Sequence, residues 1–164
     1  MQSRQLDSES GGGRWILVLD RGEELIGTVT EFLAEKDIRG GLVTGIGALM
    51  NHTLGYYSLE GREYLKRTFE ENMELGNLTG TVGFVDGSPF LHAHVTVSGP
   101  ELIAFTGHLV KGEVAVTAEL IVTDFGVELP REEDDDIGLK LFRWEPKPVP
   151  ADDNGKNGKN GEEE

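Results

Sequence analysis

Three of the four histidines in this chain fall close together, in Leu91-His92-Ala93-His94-Val95 and Thr106-Gly107-His108-Leu109. On an extended strand, side chains at i and i+2 leave the same face about 6.5–7 Å apart. His92 and His94 can therefore approach one ion from one side. The segment Ser98-Gly99-Pro100-Glu101 has the composition of a turn. A turn centred near residue 100 sets residue 92 opposite about residue 108 on an antiparallel neighbour. Three imidazoles on one face suit zinc or another divalent transition metal, with a fourth position open to water, a carboxylate or a ligand. A His-x-His pair alone also fits an ordinary polar sheet face. The third histidine in cross-strand register is what favours a metal. His52 stands apart in sequence and reads as a surface or loop residue.

Other residues invite a chemical reading with less specificity. Gly45-Ile46-Gly47-Ala48 lacks the third glycine of a dinucleotide fingerprint, and a strand rather than a helix follows it. The segment reads as a tight backbone turn, or as backbone lining a pocket or an interface. Gly76 and Gly80, in Gly76-Asn77-Leu78-Thr79-Gly80, suggest the close approach of another backbone. Glu119 is a charge inside an otherwise apolar strand. It faces solvent, orients a ligating histidine, or serves as the one candidate base for catalysis.

The elements that must position these residues follow from periodicity. Trp15-Ile16-Leu17-Val18-Leu19 is a short apolar run and predicts a strand. Leu25, Val29, Phe32 and Leu33 recur at helical spacing, with Glu23 and Glu24 in the first turn and an end near Asp37. Leu42-Val43-Thr44 predicts a second strand that stops in the glycine segment. Strands are further expected at residues 52–59, 73–85, 90–98, 114–125 and 139–144, with 132–136 as an acidic loop. One main helix and many strands joined by short turns predict an α+β fold around a largely antiparallel sheet. Residues 1–13 read as a flexible lead, 14–145 as the domain. Residues 146–164, proline-punctuated and then built of Asp, Asn, Gly, Lys and Glu, read as a disordered tail.

Composition narrows the function classes. The 164 residues contain no cysteine, which excludes thiol catalysis, disulfides and cysteine-ligated metals. The net charge is −15, and the segment 14–145 holds 11 basic against 23 acidic residues, so −12 lies in the domain itself. A body this acidic repels a phosphate backbone, and direct DNA binding is not expected. No run approaches the 18–20 apolar residues of a membrane-spanning helix, and residues 1–13 lack the apolar core of a secretory signal. A cytoplasmic protein without a membrane partner is the expectation.

The motifs taken together resemble a known family. The helix, Leu42-Val43-Thr44-Gly45-Ile46-Gly47-Ala48, Leu91-His92-Ala93-His94, Gly107-His108-Leu109 and Val116-Thr117-Ala118-Glu119 are similar in order and spacing to the prokaryotic PPC domain. That family is also called DUF296, or the PD1-like, plants and prokaryotes conserved domain. The resemblance implies an α+β fold assembled as a homotrimer, with a metal, usually taken as zinc, on histidines matching His92, His94 and His108. In land plants the same domain sits beside AT-hooks in nuclear DNA-binding proteins and mediates self-association and contact with other regulators. The label "predicted DNA-binding" on prokaryotic members descends from that link. This chain has no AT-hook, and Asn72-Met73-Glu74-Leu75-Gly76-Asn77 replaces the plant segment Gly-Arg-Phe-Glu-Ile-Leu. The expectation is a trimeric, metal-containing binding or regulatory module with a small-molecule ligand. The alternative is a metal-dependent, zinc-type enzyme acting on a small polar molecule.

Overall fold

Ten elements lie along the chain in the computed structural model, which describes residues 1–9 and 12–144, most of them on alternating or continuous apolar runs. They are β1 (Gln2–Glu9), β2 (Gly12–Asp20), α1 (Leu25–Glu35), β3 (Gly41–Ser58), β4 (Glu63–Phe69), β5 (Met73–Val85), β6 (Ser88–Ser98), β7 (Ala104–Asp124), β8 (Arg131–Asp134) and β9 (Leu139–Phe142). The first seven strands form one antiparallel sheet in the order β1-β2-β7-β6-β5-β3-β4. β3 also pairs with β7, so β7, β6, β5 and β3 close into a ring. The β8–β9 hairpin is a separate two-stranded unit. The α+β expectation with one helix and an antiparallel sheet holds.

Helix α1 buries Leu25, Val29, Phe32 and Leu33 on one face, against a core that includes Leu17, Leu19, Leu49, Leu75, Leu78 and Leu120. Full burial of each such side chain contributes about 1.5–3 kcal/mol before ordering entropy is subtracted. Trp15 closes the edge of this cluster with its ring at 72° to Phe32. Glu24 lies just outside the first turn, as the N-cap. Its carboxylate accepts from the backbone N–H of Ile26 and Gly27, and from Gly112 of β7 at 3.1 Å. The helix is thereby fastened to the sheet at its positive end. Among the described residues no helix is long and apolar enough to cross a membrane.

Four sequence expectations need correction. Residues 2–9 are an edge strand and not a flexible lead: β1 pairs with β2 from Gln2↔Val18 to Glu9↔Gly12. Residues 2–6 are exposed, and backbone pairing holds the strand together with the Asp7–Arg14 ion pair and the Met1 ammonium against Asp20 and Glu23; composition gives no sign of that. The glycine segment does not end a strand either. β3 runs through it with a register shift between Gly45 and Gly47. A Cβ on Gly45 would stand 2.3 Å from the Glu119 carbonyl oxygen, and one on Gly47 2.3 Å from that of Thr117. Close approach to β7 therefore explains both glycines. Residues 132–136 form most of β8 and its turn, where Asp134 accepts from the N–H groups of Asp136 and Ile137. Finally, β4 was not expected, because five of its seven residues are exposed and carry little apolar pattern. The expected tail, 146–164, lies outside the described residues.

Candidate metal centre and its pocket

His92 and His94 leave β6 on one face, and His108 meets them from β7. The register pairs His94, rather than His92, with His108. A shift of two residues preserves the face, so the sequence argument reaches the right constellation through a turn centred one residue later. The ring centroids lie 5.2, 5.0 and 5.6 Å apart, and one nitrogen from each ring falls within 4.8 Å of the other two. No other group of three or more His, Asp or Glu side chains converges this way among the described residues.

The surroundings prepare these rings to act as ligands. Burial holds His92 down to about 4, reinforced by His108, Arg131 and His94. Burial and His94 lower His108 as well. Both rings are therefore neutral at pH 7, the form that donates a lone pair to a metal. His108 Nδ1 is buried without a hydrogen-bond partner. A buried polar atom left orphaned costs on the order of 1–3 kcal/mol. A metal ion held on that nitrogen would relieve the cost, and the donor set of three imidazoles fits zinc or a similar divalent transition metal.

Three elements hold the triad. Tyr64 of β4 stacks on His108 at 4.8 Å. It reaches across β3 over Gly55, where a Cβ would stand 2.8 Å from its ring. The β8–β9 hairpin covers the other side, tied down by Tyr57 Oη donating to the Ile137 carbonyl at 2.5 Å and Arg62 donating to that of Asp135 at 3.0 Å. Between hairpin and histidines lies a pocket of about 300 Å³, lined in part by Tyr64, Phe90, His92, His108, Arg131 and Lys140. Arg131 is buried. Its guanidinium donates to the Lys140 carbonyl and to Thr81 Oγ1, and stacks 3.8 Å from the Phe142 ring centroid.

Sequence reasoning missed Tyr64, Arg131 and Lys140. The signal for Arg131 was its place as the single base opening Arg131-Glu132-Glu133-Asp134-Asp135-Asp136. Two other assignments move. His52 is fully buried rather than at the surface, its ring stacked parallel on Phe69 at 5.1 Å, with neither ring nitrogen hydrogen-bonded. Glu119 lies eleven residues beyond His108 on β7, roughly 35 Å along the strand, opposite Val18 and Ile46. It orients no ligating histidine. Instead it lines a separate groove with Ile46, Gly47, Gly76 and Val116. Gly80 sits in β5, where a Cβ would stand 2.9 Å from Leu91 Cδ1.

An antiparallel sheet closed on itself, one helix and a three-histidine cluster define a small domain built around a candidate metal site. The chain belongs to the Plants and Prokaryotes Conserved (PCC) domain family, whose model matches residues 6–126. It is similar to a plant- and prokaryote-conserved (PPC) protein from Pyrococcus horikoshii, at 32% identity and a TM-score of 0.76, over 87% of this chain and 94% of that one. A metal-containing protein from Archaeoglobus fulgidus is similar at 35% identity and a TM-score of 0.76, covering 82% and 95%. A candidate DNA-binding protein from Bacteroides thetaiotaomicron reaches 28% and 0.79, covering 86% and 96%. No curated protein matches the chain.

Proposed function

We propose that this chain is a metal-holding binding or regulatory module that works as a homotrimer. The observation that carries the metal is the convergence of His92, His94 and His108, with burial lowering His92 and His108 and an orphan nitrogen buried on His108. The name of the Archaeoglobus fulgidus relative supports the same reading. When bound, the ion supplies an electrophilic fourth position for a ligand. The triad would hold it, with Tyr64 stacked on His108 to fix that ring. Elemental analysis tests this: native protein is expected to carry about one zinc or other divalent transition metal per chain, and His92→Ala/His94→Ala under a tenth of that. Equal content in both refutes it.

The trimer rests on a different surface. Ile46 and Val116 are more than half exposed beside the groove that holds Gly47, Gly76 and Glu119. Apolar side chains clustered on an open sheet face favour association, and closed symmetry buries such a face without leaving an edge to propagate. The number three comes from the family resemblance. Light scattering at micromolar concentration is expected to give three times the 17.9 kDa chain mass. The monomer mass rejects assembly, and a dimer rejects the number. Direct contact with DNA is not part of this function: with −12 in the domain, duplex binding at physiological salt is expected to be weaker than about 10⁻⁴ M. Micromolar, salt-sensitive retention in a gel-shift titration contradicts this.

A further inference from the structure

The pocket beside the histidines holds a buried arginine in an acidic protein. In a chain of net charge −15, the ionised side chains lining this pocket are Arg131, Lys140 and Glu133; the Lys140 ammonium is paired to Asp86 Oδ2 at 2.7 Å, whereas Arg131 makes no salt bridge among the described residues. Arg131 and Lys140 both come from the β8–β9 hairpin, which lies beyond residue 126, where the family match ends. The hairpin is built to present Arg131. Gly83 makes room for it, since a Cβ there would stand 2.8 Å from Arg131 Nε. Phe142 and Phe90 hold the guanidinium at 3.8 and 5.6 Å from their ring centroids. An arginine carries five N–H donors, and two hydrogen bonds are in place, one from each terminal nitrogen. Nε is buried without a partner against Gly83. Two N–H groups, one on each terminal nitrogen, remain without a partner in the structure, and Arg131 lines the pocket, so the guanidinium is the charged donor there for a carboxylate.

The rest of the lining sets the body of the ligand. Tyr64, Phe90, Leu139 and Leu141 give an apolar and aromatic wall. A volume of about 300 Å³ is at the small end for ligand pockets. Glu133 opposes a second negative charge. We propose that this pocket binds a small organic monocarboxylate with an apolar or aromatic body, its acid group held by Arg131 beside the metal position. The inference rests on the metal reading only for the second cationic contact. Arg131 supplies the first whether or not an ion is bound.

Titration calorimetry with benzoate, benzamide and inorganic phosphate tests the site, with metal content measured on the same samples. Wild-type protein is expected to bind benzoate at least 10-fold more tightly than benzamide or phosphate. Arg131→Met, with unchanged metal content, is expected to lose 10- to 100-fold in benzoate affinity, the size of one charge-assisted contact. Arg131→Lys keeps one positive charge at the site without the planar fork and is expected to lose a smaller factor. It keeps the test alive if Arg131→Met does not fold. Benzoate binding unchanged in Arg131→Met, no benzoate binding by metal-loaded wild type, or phosphate preferred to benzoate each overturns the carboxylate site while leaving the metal reading intact. Arg131-dependent benzoate binding by protein that holds no metal keeps the carboxylate site and removes the metal.

Discussion

Two histidine environments in this molecule look alike in their nearest contacts and differ in physics. His52 and His108 both sit on long central strands, both stack on an aromatic ring, and burial lowers both. His52, however, belongs to no converging group of ligands among the described residues; Glu71 only partly offsets the lowering by burial. Its ring lies parallel to Phe69 in the core, next to Gly112, and behaves as a flat apolar plate with a desolvation cost. His108 has His92 and His94 within reach and opens onto a pocket. An orphan nitrogen alone is thus no sign of a site. Convergence of several donors is the sign.

The sharpest way to break the contrast is metal removal. Chelation is expected to lower the melting temperature of wild-type protein by about 5–10 °C, since an ion at 100 times its dissociation constant contributes about 2.7 kcal/mol. The His92→Ala/His94→Ala variant is expected to show no shift in the same differential scan. A chelator shift that survives in the variant places the ion elsewhere.

A second test acts on His52. His52→Ala empties a core position and is expected to cost about 3 kcal/mol. His52→Leu fills it without the orphan nitrogens and is expected to be neutral or stabilising. Urea denaturation separates the two, and equal losses reveal a polar role for the ring. Acid sharpens the same point. His52 and His92 are both depressed in the folded state, so the unfolded chain binds protons first, near pH 6.5. Their contribution is fully present above that value. In metal-free protein it is lost as pH falls from about 6.5 toward the value of about 4 held by His92. His52→Leu is expected to retain part of that stability.

The smallest effect concerns the helix anchor. Glu24→Ala removes the cap and the link to Gly112, at an expected cost of about 1–2 kcal/mol. A melting temperature unchanged within 1 °C contradicts the capping role.

What was legible in the sequence divides along the same line as the histidines. The strand Met73–Val85, the helix and the triad were readable because period and spacing act locally. His52 was misplaced because burial is a tertiary fact: nothing in Met50-Asn51-His52-Thr53 says that Phe69 will cover it. β1 and β4 were missed because backbone pairing holds exposed, polar strands. Arg131 was hidden in an acidic run whose hairpin conformation depends on Tyr57, Arg62 and Gly83, between 48 and 74 residues earlier in the chain.

The claim that three histidines hold one ion is tested most directly by anomalous diffraction from crystals of the native protein, recorded across the absorption edge of the metal found by elemental analysis. The account predicts one strong peak per chain, about 2.0–2.1 Å from one nitrogen each of His92, His94 and His108 if the ion is zinc. A metal-loaded crystal with no peak at the triad, or with its peak on other residues, contradicts it.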